Sequence, residues 1–466
     1  MRAALLSICF YTVQAASAVP LFTDATSQSG VDFVHFNGMS GEHYFSEMMG
    51  GGVALFDYDN DGDLDIYLVQ GTMLGPDKKL DDASFPPKHA VPLTDRLYRN
   101  DSSKRRLRFV DVTEELGLTA AHYGMGVATG DVDNDGWIDL YVTAFGENRL
   151  LMNREGRRFE DVTDEAGVGD DRWSVSAAFL DFDRDGNLDL YVGNYVDFSF
   201  GNSNNCTSFN NAPDYCSPKA YLPVPDRLFR NTGEGRFEDV TEKAGVTADF
   251  GAGLGVIAAD FNNDGWIDLY VANDGMPNQL WINQKNARFS NEALLAGVAV
   301  NMAGSPEASM GVIAADFDGD GDADLFMTHL TRETNTLYVN DGKGWFEDRS
   351  AASVLGSSSF PYTGFGTTWF DYNNDGWLDL FSANGAVTKI EEQVEDDDPY
   401  PLHQINQLWR NEGGGKYIDV TNEAGDVFEL SEVSRGAASG DLDNDGDLDL
   451  VVVNNNGPAR ILLSNE

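Results

Sequence analysis

Asp57-Tyr58-Asp59-Asn60-Asp61-Gly62-Asp63-Leu64-Asp65 is a nine-residue stretch that the chain repeats seven times, starting at Asp57, Asp131, Asp181, Asp260, Asp316, Asp371 and Asp441. Every copy carries an oxygen-bearing side chain at positions 1, 3, 5 and 9 and a glycine at position 6. The first copy supplies Asp57, Asp59, Asp61 and Asp65, the second Asp131, Asp133, Asp135 and Asp139, and the third Asp181, Asp183, Asp185 and Asp189. The fourth has Asp260, Asn262, Asp264 and Asp268, the fifth Asp316, Asp318, Asp320 and Asp324. The last two have Asp371, Asn373, Asp375 and Asp379, then Asp441, Asp443, Asp445 and Asp449. Position 7 is counted with the ligand set: Asp63, Trp137, Asn187, Trp266, Asp322, Trp377 and Asp447. Four such groups folded around a glycine turn describe a cage for a hard cation. Calcium, which takes six to eight oxygens in flexible geometry, fits it better than magnesium, which keeps its waters. One ion per copy, up to seven, is expected, with the Asn262 and Asn373 copies weakest because each lacks one charge. The plainer alternative is a solvated acidic turn.

An EF-hand loop also opens on alternating acidic residues with glycine at position 6, but it needs an acidic bidentate ligand at position 12. Position 12 here is Leu68, Val142, Val192, Val271, Met327, Ser382 and Val452. The residues after position 9, such as Ile66-Tyr67-Leu68-Val69 and Leu140-Tyr141-Val142-Thr143, are β-branched and aromatic, so strands flank these loops.

The motif sits inside a longer unit. A strand of small residues precedes it (Gly51-Gly52-Val53-Ala54, Gly126-Val127-Ala128, Gly436-Ala437-Ala438), and the aromatic–aliphatic strand follows it. A third strand ends in asparagine at Asn100, Asn153, Asn231, Asn283, Asn340 and Asn411, and a fourth begins at Phe109, Phe159, Phe237, Phe289, Phe346 and Tyr417. Four antiparallel strands repeated seven times predict an all-β, seven-bladed β-propeller. The seventh unit has its third strand at Ile461-Leu462-Leu463-Ser464-Asn465 and no fourth, while Phe22-Thr23-Asp24-Ala25-Thr26 copies a fourth strand without a unit of its own. The N-terminal strand is therefore expected to close the last blade and hide the open edges.

With the small-residue strand innermost, all seven acidic loops open on one face. The long insertions 71–95, 194–226 and 384–407, and the longer connections 36–49 and 297–310, stand on the other, where binding loops over a rigid scaffold are expected.

The formal charge of −46 argues against nucleic-acid and anionic-membrane partners. Residues 1–18, with Arg2, an apolar run and Ala16-Ser17-Ala18, read as a secretory signal peptide that also contains Cys9. This leaves a secreted, extracellular or periplasmic propeller over 19–466, and no later apolar run is long enough for a membrane span. Cys206 and Cys216, in one polar loop, pair naturally as a disulfide in an oxidising compartment; half of a zinc site is the alternative. Asn100-Asp101-Ser102 and Asn205-Cys206-Thr207 are glycosylation sequons in a eukaryotic host.

The pattern Gly-x-Gly-x-Ala-x-x-Asp-x-Asp-x-Asp-Gly-x-x-Asp-Leu resembles the FG-GAP or VCBS repeat, the blade unit of integrin α-subunit propellers. The run 33–52, with Gly38-Met39-Ser40-Gly41-Glu42, the Asp214-Tyr215-Cys216-Ser217-Pro218 stretch and the Phe-x-Asp-Val-Thr strands more closely resemble the cartilage acidic protein/UnbV (ASPIC) family. The resemblance spans the whole chain after residue 18. It implies calcium in the loops and, by likeness to integrin propellers, a ligand on the face away from them. Family members usually carry a further UnbV-type or EGF-like module, which is not expected here after Glu466.

Two functional readings follow. The first is a calcium-stabilised binding module, a monomeric ring with a protein or glycan ligand on the loop face. The second is a metal-dependent lyase, dehydratase or hydrolase acting on sugars, built from His43, His89, His122, His329 and His403 with Glu42 and Glu47. No nucleophile elbow, phosphate loop or metalloprotease helix is present. Asn194, Asn273, Asn384 and Asn454, each at the end of a second strand, are expected either to rim the ligand face or to cap strand ends.

Overall fold

The computed structural model describes residues 19–465 except 90, 105, 209 and 210; the signal-peptide reading of 1–18 lies outside them. It contains seven four-stranded antiparallel blades. Blade 1 is Val53–Phe56, Asp65–Leu68, Arg96–Asn100 and Phe109–Asp111, and its order is the order of the chain. Blades 2 to 6 repeat this arrangement. Blade 7 is Ser434–Gly440, Asp449–Asn454 and Arg460–Ser464, closed by Phe22–Asp24 against the third strand with Phe22 opposite Ser464.

Each second strand is buried from end to end, as in the Asp139–Ala144, Asp189–Asn194 and Asp268–Asn273 strands. Both of its faces are covered by neighbouring blades, so its sequence is a continuous apolar run rather than an alternation. The core consists of a separate apolar cluster at every blade interface. Tyr67 and Leu97 of blade 1 meet Leu140 and Phe159 of blade 2. At the ring closure Ile66 and Tyr98 meet Val451 and Ile461 of blade 7. Phe22, 1% exposed, packs against Phe370, Tyr372 and Phe428. Burying such a ring contributes about 1.5–3 kcal/mol, so the closing strand carries a genuine share of the blade 6–7 interface.

The first strands line a central channel of about 250 Å³. Their glycines are required by distance. A Cβ on Gly126 would lie 2.4 Å from the Val175 carbonyl oxygen, one on Gly255 2.4 Å from that of Met310, and one on Gly366 2.5 Å from that of Arg435. Each is backbone in, or just before, the next inner strand, so the ring cannot close this tightly around larger residues.

The third-strand asparagines turn out to be inter-blade braces. Asn100 Nδ2 donates to the carbonyls of Leu64 in its own loop and of Leu442 in the loop of blade 7. Asn340 likewise reaches Ala323 and Phe261. In blade 7 the equivalent position is Ser464, one residue before the expected Asn465: its amide donates to Asp449 Oδ1 as that of Asn100 does to Asp65 Oδ1. Asn100 is 1% exposed and its amide nitrogen is spent on two carbonyls, so the first sequon is not an open acceptor.

Candidate functional site

The nine-residue loops are near-identical in geometry. The position-1 carboxylate accepts the amides of positions 5 and 6, at 3.1 and 2.9 Å from Asp57 and at 3.0 and 2.9 Å from Asp131. The position-5 carboxylate accepts the position-7 amide, as Asp61 does from Asp63 at 3.0 Å. Position 9 is buried under the loop: Asp65 Oδ2 accepts from Tyr58 N–H and its Oδ1 from Asn100 N–H, at 2.9 and 2.8 Å. Glycine at position 6 has φ of 96° at Gly62 and 90° at Gly136, a left-handed conformation. A tryptophan at position 7 can offer a cation only its backbone carbonyl.

Position 3 differs from the others. Oδ1 of Asp59, Asp133, Asp183, Asp318 and Asp443 is buried and has no hydrogen-bond partner. In the two loops with asparagine there, Oδ1 of Asn262 and Asn373 accepts the position-5 amide, each at 3.1 Å. Carboxylate oxygens of Asp131, Asp133 and Asp139 lie within 4.8 Å of one another, as do those of Asp181, Asp183 and Asp189 and those of Asp441, Asp443 and Asp449. Asp57, Asp59 and Asp61, and Asp316, Asp318 and Asp320, form the other two such groups. Burial and then the neighbouring carboxylates push Asp59 and Asp443 above the usual carboxylate range. Burial alone is the largest cause that lifts Asp65, Asp139 and Asp449 to about 7. Three carboxylates gathered within one such loop, one of them with a buried oxygen, are what a divalent oxygen-seeking cation relieves. The residues present therefore fit calcium.

Position 4 was not singled out by the sequence reading, and it joins the loops to each other. Asn60, Asn134, Asn263, Asn374 and Asn444 have φ between 55° and 60°. Their side-chain amides reach the next loop: Asn60 to the Gly136 carbonyl, Asn374 to Asp447 and Asn444 to Asp63. In blade 3 the position is Arg184, whose guanidinium lies 5.3 Å from the Trp266 ring centre of the next loop. Its signal was visible as a recurring Asn, the side-chain-bearing residue that best tolerates left-handed backbone, with Gly319 in the fifth loop.

The opposite face is a packed lid. Phe45, Trp173, Tyr195, Phe198, Tyr215, Tyr221, Phe365 and Tyr400 belong to one apolar cluster drawn from nearly every blade. The 36–49 connection crosses the channel mouth, and the insertions lock onto it. Asn37 Nδ2 donates to Tyr400 Oη at 3.3 Å, Phe85 meets Tyr400, and Lys389 Nζ lies 3.0 Å from His43 Nε2 and donates to the Pro213 carbonyl. Cys206 and Cys216 are disulfide-bonded, which closes the zinc alternative. Arg435, fully enclosed, donates to the carbonyls of Met48, Gly385, Ser434 and Ala386 and stacks on Phe365. Burial lowers its pKa to about 10.

This packing decides where the expected ligand-face residues sit. Glu47 is 0% exposed beneath the lid, with Tyr215 Oη donating to Oε2 at 2.9 Å, and burial raises it to about 7. Asn194, Asn384 and Asn454 are buried and hold strand ends and hairpins together, bonding the carbonyls of Pro225, Ile405 and Pro458; Asn273 does the same to Pro277. The histidines are dispersed onto separate partners. His122 Nε2 lies 3.2 Å from Asp95 Oδ2, and His329 Nε2 3.1 Å from Ser309 Oγ. His403 Nδ1 is 3.2 Å from Asp398, and His89 accepts the Val34 amide. Glu42 pairs with Lys78. Among the described residues no group of three metal-ligating side chains includes a histidine.

The FG-GAP-like repeat family model matches residues 131–192, 210–271, 260–327 and 316–382, which together span half of the chain. Cartilage acidic protein 1 of Xenopus tropicalis is 28% identical over 165 residues, and that of Mus musculus 30% identical over 168. Each match covers 34% of this chain and a quarter of the relative, 25% of its length. Among solved structures, a lectin of Agrocybe aegerita that recognises non-reducing terminal N-acetylglucosamine aligns over 89% of this chain and 90% of its own, at 14% identity and a TM-score of 0.43. No helix among the described residues is long and apolar enough to cross a membrane.

Proposed function

The chain belongs to the FG-GAP-like repeat family, and from that premise we propose that it is a secreted, calcium-stabilised propeller that serves as an extracellular binding module. The observation that carries the metal part is the clustering of three carboxylates, with oxygens within 4.8 Å of one another, in five of the loops. Asp57, Asp59, Asp61 and Asp65 and their counterparts hold the ion, with the position-7 carbonyl completing the set. Bound calcium supplies charge neutralisation within each loop, and its role is structural. The leader-like residues 1–18 and the Cys206–Cys216 disulfide support an oxidising, exported location. The ligand, a protein or a glycan, meets the lid face, where non-repeating loops replace the uniform acidic ones.

Metal analysis of the purified chain, followed by melting with and without a chelator, tests the scaffold. About seven calcium ions per chain and a large fall in melting temperature on chelation are expected. Unchanged melting without calcium would sink the reading. For the ligand face, capture of glycans or matrix proteins should fail in Leu222→Asp, an exposed lid residue, and survive in Trp345→Asp, exposed on the opposite side. The reverse pattern would move the binding surface to the metal loops.

A further inference from the structure

The lid is not solid. Between the 36–49 connection, the disulfide loop and blades 4 to 6 lies a bowl of about 290 Å³, floored by Met49, Leu254, Met310 and Phe365. Its walls are Tyr195, Tyr215, the Cys206–Cys216 bridge, Leu330 and Val387, and Asp274 is the one carboxylate that lines it. We propose that this bowl binds an amphipathic organic cation, an apolar body of roughly a dozen heavy atoms carrying one ammonium group to Asp274. The inference deepens the assignment of the lid as the ligand face and rests on it.

Size sets the body: a cavity of about 150 Å³ accommodates benzene, so this one holds about twice as much. Chemistry sets the head. Asp274 is held by the Tyr195 hydroxyl at 2.5 Å and by its own amide, which donates to the Ala252 carbonyl. Among the described residues Tyr195 is its one side-chain hydrogen-bond donor, so a carboxylate with further acceptor capacity faces an apolar space. The surroundings are acidic. The Gly275 amide donates to the Glu307 carbonyl beside it, and Glu333 accepts the Ala308 amide, with Ala308 bridged to Asp274. Burial lifts Asp274 to about 6, the Tyr195 hydroxyl opposes this, Glu333 adds to it and Lys219 lowers it. The aromatic rings of Tyr195 and Tyr215 in the wall favour a cation, while Met49 and Met310 adapt to the body's shape. A net charge of −46 repels an anionic version of the same molecule.

Calorimetric titration of the calcium-loaded full chain with 4-phenylbutylamine tests this, with 4-phenylbutanol and 4-phenylbutyrate as the same body bearing other heads. The amine should bind at one site, about tenfold or more tighter than the alcohol, and the carboxylate should give no saturable heat. Asp274→Asn should weaken the amine by about tenfold and leave the alcohol unchanged. Leu330→Trp and Thr388→Trp, which fill the bowl from two walls, should abolish both, with melting curves verifying the fold of each variant. Equal binding of amine and alcohol, wild-type amine binding by Asp274→Asn, or no binding to a chain that melts cooperatively would overturn the proposal. If macromolecular capture by the lid survives while the amine is silent, this inference fails and the lid reading stands; if capture moves to the other face, both fail.

Discussion

The two faces of the ring are built by opposite means. On one, a nine-residue loop recurs seven times with a shared frame of hydrogen bonds; its cohesion comes from carboxylates, backbone amides and position-4 links between neighbours. On the other, segments that share no pattern interlock through aromatic rings, a disulfide and a buried guanidinium. The first face is charged, and on the proposed reading it would become coherent through ions. The second is apolar and coherent without them. Stability in a propeller can thus be bought twice, by repetition and by unique packing, and each half has its own point of failure.

Chelation should separate them most sharply. A site filled at a hundredfold excess over its Kd contributes about 2.7 kcal/mol, so emptying several loops at once should lower the melting temperature further than any single substitution. Near-ultraviolet circular dichroism of the chelated chain should retain lid signals, from Trp173 and its ring neighbours, below its melting point. Loss of those signals on chelation alone would show that the faces are not independent.

Next in size is Asn340→Ala, which leaves the carbonyls of Phe261 and Ala323 without their donor. It should cost about 2–4 kcal/mol in denaturant unfolding, and Asn283→Ala should cost the same because Asn283 bonds Phe182 and Ile267 alike. Unequal costs would break the idea that repetition makes the blades equivalent.

Glu47→Gln probes the lid. The folded state raises Glu47 from 4.5 to about 7, so it holds that proton more tightly than the unfolded chain does. The stability this confers is complete below pH of about 4.5 and is lost as pH rises through about 7. The variant should therefore match the parent at pH 4 and exceed it by about 3 kcal/mol at pH 8. A constant difference across that range would remove Glu47 as a titrating element of the lid.

The smallest effect belongs to the links between loops. Asn374→Ala loses the bond to Asp447 and places alanine at φ of 55°, which should cost about 1 kcal/mol. The calcium content of the adjacent loop should be unchanged.

The ring, its blade number and its closure by Phe22–Asp24 were legible because repetition exposes them: a motif seen seven times averages away local ambiguity. The acidic loop positions could be named, and so could the Asn262 and Asn373 exceptions. The lid was invisible for the complementary reason. Phe45, Trp173, Tyr215 and Tyr400 come from unrelated connections, and only the closed ring brings them over one axis. Glu47, expected among the metal or acid–base groups of the loop face, lies beneath the lid because aromatic rings hundreds of residues apart in sequence pack around it. Ser464 was displaced by one because the eye follows asparagine, whereas the register follows the amide that reaches Asp449.

The closing seam has a mechanical meaning. Phe22 lies opposite Ser464 and Asp24 opposite Leu462 in an antiparallel pair, so the chain before Phe22 and the chain after Ser464 leave from the same end of that pair. Tension drawn through these two segments loads the strand pairs one after another, as in peeling, instead of shearing them together. The Arg460 ion pairs with Asp24 and Glu432 lie at the far end of the seam and are reached last. The ring should then open at small pulling forces and, since each blade keeps its other strands, reseal when the load is released.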